Sequence, residues 1–366
     1  MYRDLNPGDQ WEPTATPGVA LEDFASSPLE LERGTLTGLD HSSDRVALTT
    51  EQAEALQEHG HELQRAGRFQ AAFEAFQHAY ILYQQNQDES GQATTLACLG
   101  LAYYHLSNYG AAIAHCQQAL VLAQRLSQLR TAARVLDTLG NAYRHQKDLD
   151  KAISYQQQSV AIFRQLGDRV GEMATLNNIG LAYKALGNHQ SAIAYERQSL
   201  KIAQELQDRQ VEEQILKNLG NACYALGEYV QAIDYYRQRL GLTRQARDHR
   251  AEGQTLRNLG NAYYAIGDYE GAIECSQQRL SSAQALQDYR SQEQALSSMA
   301  VAHEAVGNFA AAIDCYQQRL KLARQIQDSR LEQQILGSLR VAYYAIGDYA
   351  KAIECAPERQ ANLQTR

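Results

Sequence analysis

The chain has 366 residues and a formal net charge of -8. A single globular core of that length is unusually large, and the acidic balance excludes general nucleic-acid binding, which needs a strongly basic face. No apolar stretch approaches the roughly 18 residues of a membrane span, and the N-terminus lacks the basic and apolar regions of a secretory signal. The sequence therefore predicts a cytoplasmic protein with neither nucleic-acid binding nor membrane insertion.

The first fifty residues differ in composition from the rest of the chain. They hold four of the five prolines, and nine acids against three arginines. This composition predicts that residues 1–49 form a disordered or loosely docked acidic segment. A helical pattern begins near Thr50, where Thr49 or Thr50 is placed to cap a helix.

From that point a short phrase returns every forty residues. A fixed period of this size predicts stacked supersecondary units, each burying its apolar face against the next. Residues 51–356 contain no proline, in keeping with an uninterrupted helical array. The phrase begins at these residues in successive copies: Leu99, Leu139, Ile179, Leu219, Leu259, Met299 and Leu339.

Each forty-residue repeat is expected to contain two helices, A and B. In one repeat, helix A covers about Ala251–Ile266, Gly267-Asp268 makes the turn, and helix B covers about Tyr269–Leu286. A glycine in the left-handed conformation ends a helix at low cost. Glycine stands at this turn in six repeats, as Gly67, Gly187, Gly227, Gly267, Gly307 and Gly347, and is replaced by Ser107 and Lys147 in two. Aspartates placed to cap the next helix A follow helix B: Asp88, Asp168, Asp208, Asp248, Asp288 and Asp328.

Small residues predict where the helices pack most closely. Gly100 and its equivalents lie within helix A, where glycine costs about 1 kcal/mol relative to alanine. Such a glycine is best explained by the close approach of a neighbouring helix. A column of alanines that begins with Ala112 supplies the matching small site on helix B.

The order of these residues resembles the tetratricopeptide repeat (TPR) pattern: Leu96, Leu99, Gly100, Tyr103, Ala112 and Ala119. The forty-residue unit is longer than the usual repeat of about 34 residues, and it resembles the long repeats of the LGN/Pins scaffold family and of cyanobacterial TPR proteins. The resemblance implies an all-α fold, a right-handed α-solenoid of helix-turn-helix repeats. The array would cover residues 50–356 as seven full repeats and one truncated repeat, followed by a tail at 357–366.

In this family the A helices line a concave wall that binds peptides, so the candidate residues lie opposite the packing face. We call positions 94, 97, 98, 101, 104 and 105, with their equivalents in the other repeats, the groove stripe. Asparagine amides suit an extended backbone, and arginine and lysine suit acidic side chains or a C-terminal carboxylate. Asp137 is the one nearby acid. The predicted peptide-binding residues are Arg134, Asn141, Arg144, Asn178, Lys184, Lys217, Asn218, Asn221, Tyr224, Arg257, Asn258, Asn261 and Tyr264.

The resemblance and this stripe predict a non-enzymatic adaptor or scaffold that binds an extended, acidic segment of a partner protein. A plainer interpretation is that the asparagines only form hydrogen bonds between adjacent helices. Two further alternatives remain. In the first, the acidic N-terminal segment, which mixes acids and bulky apolar residues over 21–32, serves as an autoinhibitory ligand of the groove. Alternatively, the protein self-assembles through its last repeat, where Pro357 interrupts helix B and an apolar face is poorly covered near Leu336, Leu339, Val341 and Ile346.

No catalytic, metal or cofactor site is expected. The chain shows no glycine-rich phosphate loop, nucleophile elbow or metalloprotease motif. His105 and His145 occupy equivalent positions and are placed to approach each other, but no cysteine or carboxylate stands at ligand spacing. The six cysteines are expected to be reduced, because stacked helices lie roughly 8–10 Å apart, beyond the ~7 Å Cα separation that a disulfide tolerates.

Overall fold

A computed structural model describes residues 42–355 of the chain, with side chains from Thr50 onward. This range contains sixteen helices and no strand. Odd-numbered helices are the A helices and even-numbered helices are the B helices. Their bounds are α1 (Ser42–Arg65), α2 (Phe69–Gln85), α3 (Glu89–His105), α4 (Tyr109–Arg125), α5 (Leu129–His145), α6 (Leu149–Leu166), α7 (Arg169–Ala185), α8 (His189–Glu205), α9 (Arg209–Ala225), α10 (Tyr229–Gln245), α11 (His249–Ala265), α12 (Tyr269–Ala285), α13 (Tyr289–Ala305), α14 (Phe309–Gln325), α15 (Ser329–Ala345) and α16 (Tyr349–Glu354).

The expected all-α solenoid is confirmed, because each helix packs on the next along the chain. Contacts between successive A helices, α3 with α5 and α5 with α7, add a second direction of packing. The predictions for residues 1–41, including the acidic stretch at 21–32, lie outside the described residues, as do Pro357 and the predicted tail. No described helix combines the length and the apolar character that crossing a bilayer requires.

The predicted start of the first helix near Thr50 is wrong. Helix α1 begins at Ser42, so Thr49 and Thr50 lie inside it and do not cap it. Residues 42–50 contain neither proline nor glycine. Threonine is disfavoured in a helix by at most about 0.7 kcal/mol relative to alanine, which is too little to end a helix that is already propagating.

The turns between helices A and B have the predicted left-handed geometry. The six turn glycines have φ between 73° and 81°. Ser107 and Lys147 take the same conformation, with φ of 60° and 64°. At Lys147 the surrounding hydrogen bonds fix this geometry, since Asp148 N donates to Tyr143 O over 3.0 Å, a bond typical of a helix C-terminus.

The turns from helix B to the next helix A use the left-handed conformation as well, which the sequence analysis missed. Only Gly167 supplies a glycine there. The other positions with positive φ are Gln87, Ser127, Gln207, Arg247, Gln287 and Gln327. The same turn geometry is therefore repeated along the chain at positions where the residue type does not predict it.

Side-chain caps start most of the helices. Asp88 Oδ1 accepts from Gly91 N over 3.0 Å, and the other five predicted aspartates cap their helices in the same way. Equivalent caps, which were not predicted, start six of the B helices: Asn108, Asp148, Asn188, Asp268, Asn308 and Asp348.

The predicted close approach of helix B to the mid-helix glycines is confirmed. A Cβ atom built on Gly140 would lie 2.3 Å from Cγ of Gln156 and 3.0 Å from the carbonyl oxygen of Ala152. Ala152 itself is completely buried. Glycine on α5 and alanine on α6 together set the spacing of the two helices.

The buried apolar side chains form three main clusters in chain order. The first extends from Leu63 to Ala152, the second from Val160 to Cys275, and the third from Leu280 to Ala352. All six cysteines are free, as predicted, and every one but Cys355 is buried.

The last repeat is better covered than predicted. Leu336 and Leu339 are only 7% and 2% exposed, because they belong to the third cluster, to which Ala352 of the short α16 also belongs. Val341 and Ile346 are 61% and 49% exposed, as predicted.

Candidate functional site

The A helices α1, α3, α5 and α7 share a cavity of about 260 Å³. Arg134 and Asp137 line it on α5, and His61 lines it on α1. Four groove-stripe positions form its α3 wall: Thr94, Ala97, Cys98 and Leu101. Part of the groove stripe on α3 therefore lines this cavity, and the peptide-binding groove along the array stays a prediction.

Asp137 connects two A helices within this wall. Its Oδ1 accepts a 3.1 Å hydrogen bond from Asn178 Nδ2 on α7, and its Oδ2 accepts a 3.2 Å bond from Asn141 Nδ2 on its own helix. Burial raises the pKa of the Asp137 carboxyl, while hydrogen bonds from Asn178 and Thr175 and the charge of Arg144 oppose that rise. The only acid predicted in the groove is thus engaged with its neighbours.

Most of the predicted asparagines bridge helices. Asn141 accepts from Gln156 on α6 over 3.2 Å, and Asn221 accepts from the Tyr236 hydroxyl on α10 over 2.8 Å. Asn261 is exposed. The asparagines that bond to a neighbouring helix are Asn141, Asn178, Asn218, Asn221 and Asn258. These bonds fit the plainer interpretation for those five residues, and their role as ligand contacts stays a prediction.

The predicted basic residues follow four consecutive A helices. Arg134 and Arg257 are exposed, at the two ends of this set. The remaining three are half-buried: Arg144, Lys184 and Lys217. Across α5, α7, α9 and α11, Asp137 is the only acid on the groove stripe. These helices therefore present an excess of positive charge in a chain that is acidic overall.

The two predicted tyrosines lie at the end of their A helices. Tyr224 is 38% exposed and makes an edge contact with Tyr229, at 5.2 Å between ring centroids. Tyr264 is 37% exposed and contacts Tyr269 in the same way at 5.1 Å. Each tyrosine is therefore partly exposed near the end of its A helix.

The fourth repeat lacks the asparagine that the third and fifth repeats carry on helix A. This leaves a buried carboxyl group of that repeat without a hydrogen-bond partner in the described range, which was not predicted. Leu181 occupies the position of Asn141 and Asn221. The carboxyl group of Glu196, which stands where Gln156 stands two helices earlier, is fully buried and has no hydrogen-bond partner among the described residues. Burial raises the pKa of Glu196 to about 8, with the charge of Lys184 opposing the rise.

Two buried arginines on B helices also escaped the sequence analysis. Arg239 is 3% exposed and donates through Nε and Nη2 to Glu213 Oε1, over 3.1 and 2.9 Å. Arg319 is 6% exposed and pairs with Glu293 in the same manner, its Nε donating over 3.0 Å. The sequence does contain a signal for these ion pairs, because a glutamate precedes an arginine by 26 positions in both cases.

The two equivalent histidines contact a shared ring, since the Tyr104 ring lies 5.6 Å from the His105 ring and 5.6 Å from the His145 ring. Their direct approach to each other stays a prediction. The His105 ring stacks on Phe69 at 4.3 Å, and the His145 ring stacks on Tyr109 at 4.7 Å. Phe69 and Tyr109 are the first residues of the B helices α2 and α4. Within the described part of the chain, no three potential metal ligands come together.

Comparisons with known proteins identify the repeat. The tetratricopeptide repeat family profile matches residues 91–164, 131–205 and 212–285, and a second tetratricopeptide repeat profile matches residues 295–330. No curated protein sequence matches the chain.

Solved structures share the fold at low sequence identity. The Signal Transduction ATPase with Numerous Domains (STAND) protein with a tetratricopeptide repeat sensor from Pyrococcus horikoshii is 17% identical, with a TM-score of 0.63 over 79% of this chain. The chain covers 45% of that protein's length. The apo form of RapI is 15% identical, with a TM-score of 0.53 over 76% of this chain and 99% of RapI. BtubC from P. vanneervenii is 18% identical, with a TM-score of 0.50 over 68% of this chain and 94% of BtubC.

Proposed function

The chain belongs to the tetratricopeptide repeat family, and from that premise we propose that it is a non-enzymatic adaptor that binds an extended, acidic segment of a partner protein. The single observation that carries the proposal is the charge of the groove stripe on α5, α7, α9 and α11. Five basic side chains face one acid there, and the carboxylate of that acid already accepts two amide hydrogen bonds. The finer resemblance to the LGN/Pins scaffolds stays a prediction.

The spacing of the repeats suits an extended ligand. Packed helices lie about 10 Å apart, and an extended chain in the polyproline II conformation has three residues per turn and advances about 3.1 Å per residue. Successive A helices therefore meet a side chain at about every third ligand residue. Acidic side chains with that spacing would each reach a basic group, and the exposed amide of Asn261 is available to the ligand backbone.

The test is a charge reversal on two neighbouring A helices. The double variant Lys217→Glu and Arg257→Glu is expected to reduce retention of the partner from native cell extract by more than tenfold. A matched control is Lys201→Glu with Lys321→Glu, which reverses two exposed lysines on the B helices α8 and α14. Both variants should keep the helical circular dichroism of the parent. Equal retention by the two variants would show that this mechanism is wrong.

Self-association is a second candidate, favoured by the exposed apolar side chains at the end of the array. Val341 and Tyr349 are 61% and 63% exposed, and Tyr344, Ile346 and Ile353 are each nearly half exposed. Light scattering between micromolar and near-millimolar protein concentrations tests this candidate. A mass that stays at 40.9 kDa over that range rules it out.

A further inference from the structure

One buried arginine lacks the carboxylate that its equivalents possess. Arg279 on α12 occupies the same position in its repeat as Arg239 and Arg319, and it is equally buried, at 7% exposure. Gly253 on α11 stands where the other two repeats carry a glutamate. Among the described residues Arg279 forms no ion pair, and its hydrogen-bond partner is the neutral Gln294, which accepts from Nη2 over 2.5 Å.

The acids nearest to Arg279 are engaged elsewhere. Asp288 caps α13 by accepting from Ser291 N over 3.0 Å. Glu293 accepts from Arg319. The attraction that these two carboxylates exert on Arg279 is outweighed by burial and by repulsion from Arg257, and the pKa of Arg279 falls to about 10. The guanidinium is therefore a buried cation with too little negative charge around it.

The space that a glutamate side chain at position 253 would occupy is open. A Cβ atom built on Gly253 would have no heavy atom within 4 Å. In the two complete repeats the Glu213 and Glu293 side chains are 23% and 18% exposed, so a carboxylate at this position is reached from solvent. Arg257 lies one helical turn after Gly253 on the same face of α11, and its charge acts on Arg279 by lowering the pKa of that guanidinium.

We propose that Arg279 and Arg257 form a binding site for a single carboxylate side chain of the ligand, which takes the place of the glutamate absent at Gly253. Arginine N–H groups suit this role, because they form short charge-assisted hydrogen bonds to carboxylate oxygens. The inference rests on the proposed peptide-binding function and deepens it, since it assigns an aspartate or glutamate of the ligand to one place on α11 and α12. It also adds a B-helix residue to a groove otherwise formed by A helices.

The direct test observes the Arg279 side chain itself. In protein labelled with ¹⁵N-arginine, the Nε–H signal of Arg279 is identified by its loss in Arg279→Lys and titrated at pH 7 with N-acetyl-glutamate N-methylamide. A saturable shift of that signal is expected, with no shift for the glutamine analogue. No saturable shift, or an equal shift with the glutamine analogue, overturns the proposal.

A designed glutamate supplies a second, independent readout. Gly253→Glu should pair with Arg279 as Glu213 pairs with Arg239, shift the Arg279 signal without any ligand and abolish its response to the probe. Gly253→Gln, which is equal in size and uncharged, should preserve the response. If both variants respond as the parent does, the space at Gly253 is not the binding site and the proposal fails.

A peptide titration separates this inference from the proposed function. The probe is a synthetic peptide with the sequence of residues 21–32 of this chain, which carries four acids. Gly253→Glu should weaken its binding at least tenfold relative to Gly253→Gln. If the parent binds the peptide and the Arg279 signal does not move with the single-residue probe, the carboxylate site is wrong while the adaptor function stands. If the signal titrates and acidic peptides do not bind, the site is supported and the adaptor function is wrong.

Discussion

Asn178 on α7 donates a 3.1 Å hydrogen bond to Asp137 on α5, so two successive A helices are joined side chain to side chain in the groove wall. The second carboxylate oxygen accepts from Asn141. This arrangement gives the acid a structural role, while the proposed function assigns ligand binding to the basic residues of the groove stripe. It also shows that asparagine in these columns stabilises the spacing of the repeats.

Replacing that carboxylate should weaken the array. Asp137→Ala leaves two amide donors without their acceptor, at a cost of about 1–3 kcal/mol. Urea unfolding followed by circular dichroism measures the loss. Asp314→Ala, on an exposed face of α14, serves as the control and should change stability by less than about 0.5 kcal/mol. Equal stability of the two variants would contradict a structural role for Asp137.

Glu196 should make stability depend on pH. Burial raises its pKa to about 8 in the folded chain, above the ordinary glutamate value of 4.5, so the folded state retains a proton that the unfolded state has lost. The contribution of this group is complete below about pH 4.5 and falls between pH 4.5 and 8, by up to about 1.4 kcal/mol per pH unit. Glu196→Gln cannot ionise. Its free energy of unfolding should therefore rise relative to the parent as pH increases through this window.

Leu181→Asn is the companion variant for the Glu196 experiment. It introduces an amide at position 181. The equivalent residue is Asn141 in the preceding repeat and Asn221 in the following repeat, and each accepts a hydrogen bond from the next helix B. A donated hydrogen bond favours the charged carboxylate, so the pH-dependent loss of stability should shift to lower pH and become smaller. Stability curves for Glu196→Gln and the parent that run parallel from pH 5 to pH 8 would contradict the raised pKa.

Two mid-helix glycines should respond oppositely to alanine. A Cβ atom on Gly220 would lie 2.4 Å from Cε1 of the buried Tyr236, and such overpacking costs about 1–3 kcal/mol. At Gly260 the nearest atom is Cβ of Cys275 at 3.4 Å, an ordinary contact. Gly260→Ala should therefore gain up to about 1 kcal/mol of helix propensity. Thermal denaturation compares the two variants, and a similar change in both would show that helix spacing does not depend on these glycines.

Glycine should be better than lysine at one turn. Lys147 has φ of 64°, in the region that costs an L-residue about 1–2 kcal/mol. Lys147→Gly relieves this strain but increases the freedom of the unfolded chain, for a net gain of about 0.5–1 kcal/mol. Gly187→Ala, at φ 78° in the equivalent turn, is the reciprocal variant and should lose stability. A chemical denaturation series that ranks Lys147→Gly below the parent would contradict the argument.

The local parts of the fold could be predicted because short-range chemistry determines them. Gly267 ends a helix and Asp288 caps one, and both signals lie within a few residues of the boundary that they mark. Lys147 shows the limit of such signals, since the hydrogen bonds of the turn impose a left-handed conformation on a residue that disfavours it. The start of α1 at Ser42 was missed because threonine opposes a helix too weakly to end it.

The site was predicted less completely because its details depend on contacts between helices. The charged stripe follows from helical periodicity, but the pairing of Arg239 with Glu213 depends on how helix B crosses helix A. A comparison of equivalent positions in successive repeats reveals that pair. It also shows that glycine replaces the glutamate at position 253. The buried state of Glu196 required the helix spacing itself, because its environment is created by the close approach of α7 at Gly180 and Lys184.

The division of the buried apolar side chains into three clusters has a consequence for cooperativity. In a one-dimensional array each unit is stabilised only by its neighbours, so we expect unfolding to stop within α12, between Cys275 and Leu280, where one cluster ends and the next begins. We expect the blocks on either side to fray separately under denaturant. A peptide that contacts helices from α11 to α13 would bind to both blocks at once. Its binding would therefore couple their unfolding and raise the cooperativity of the whole array.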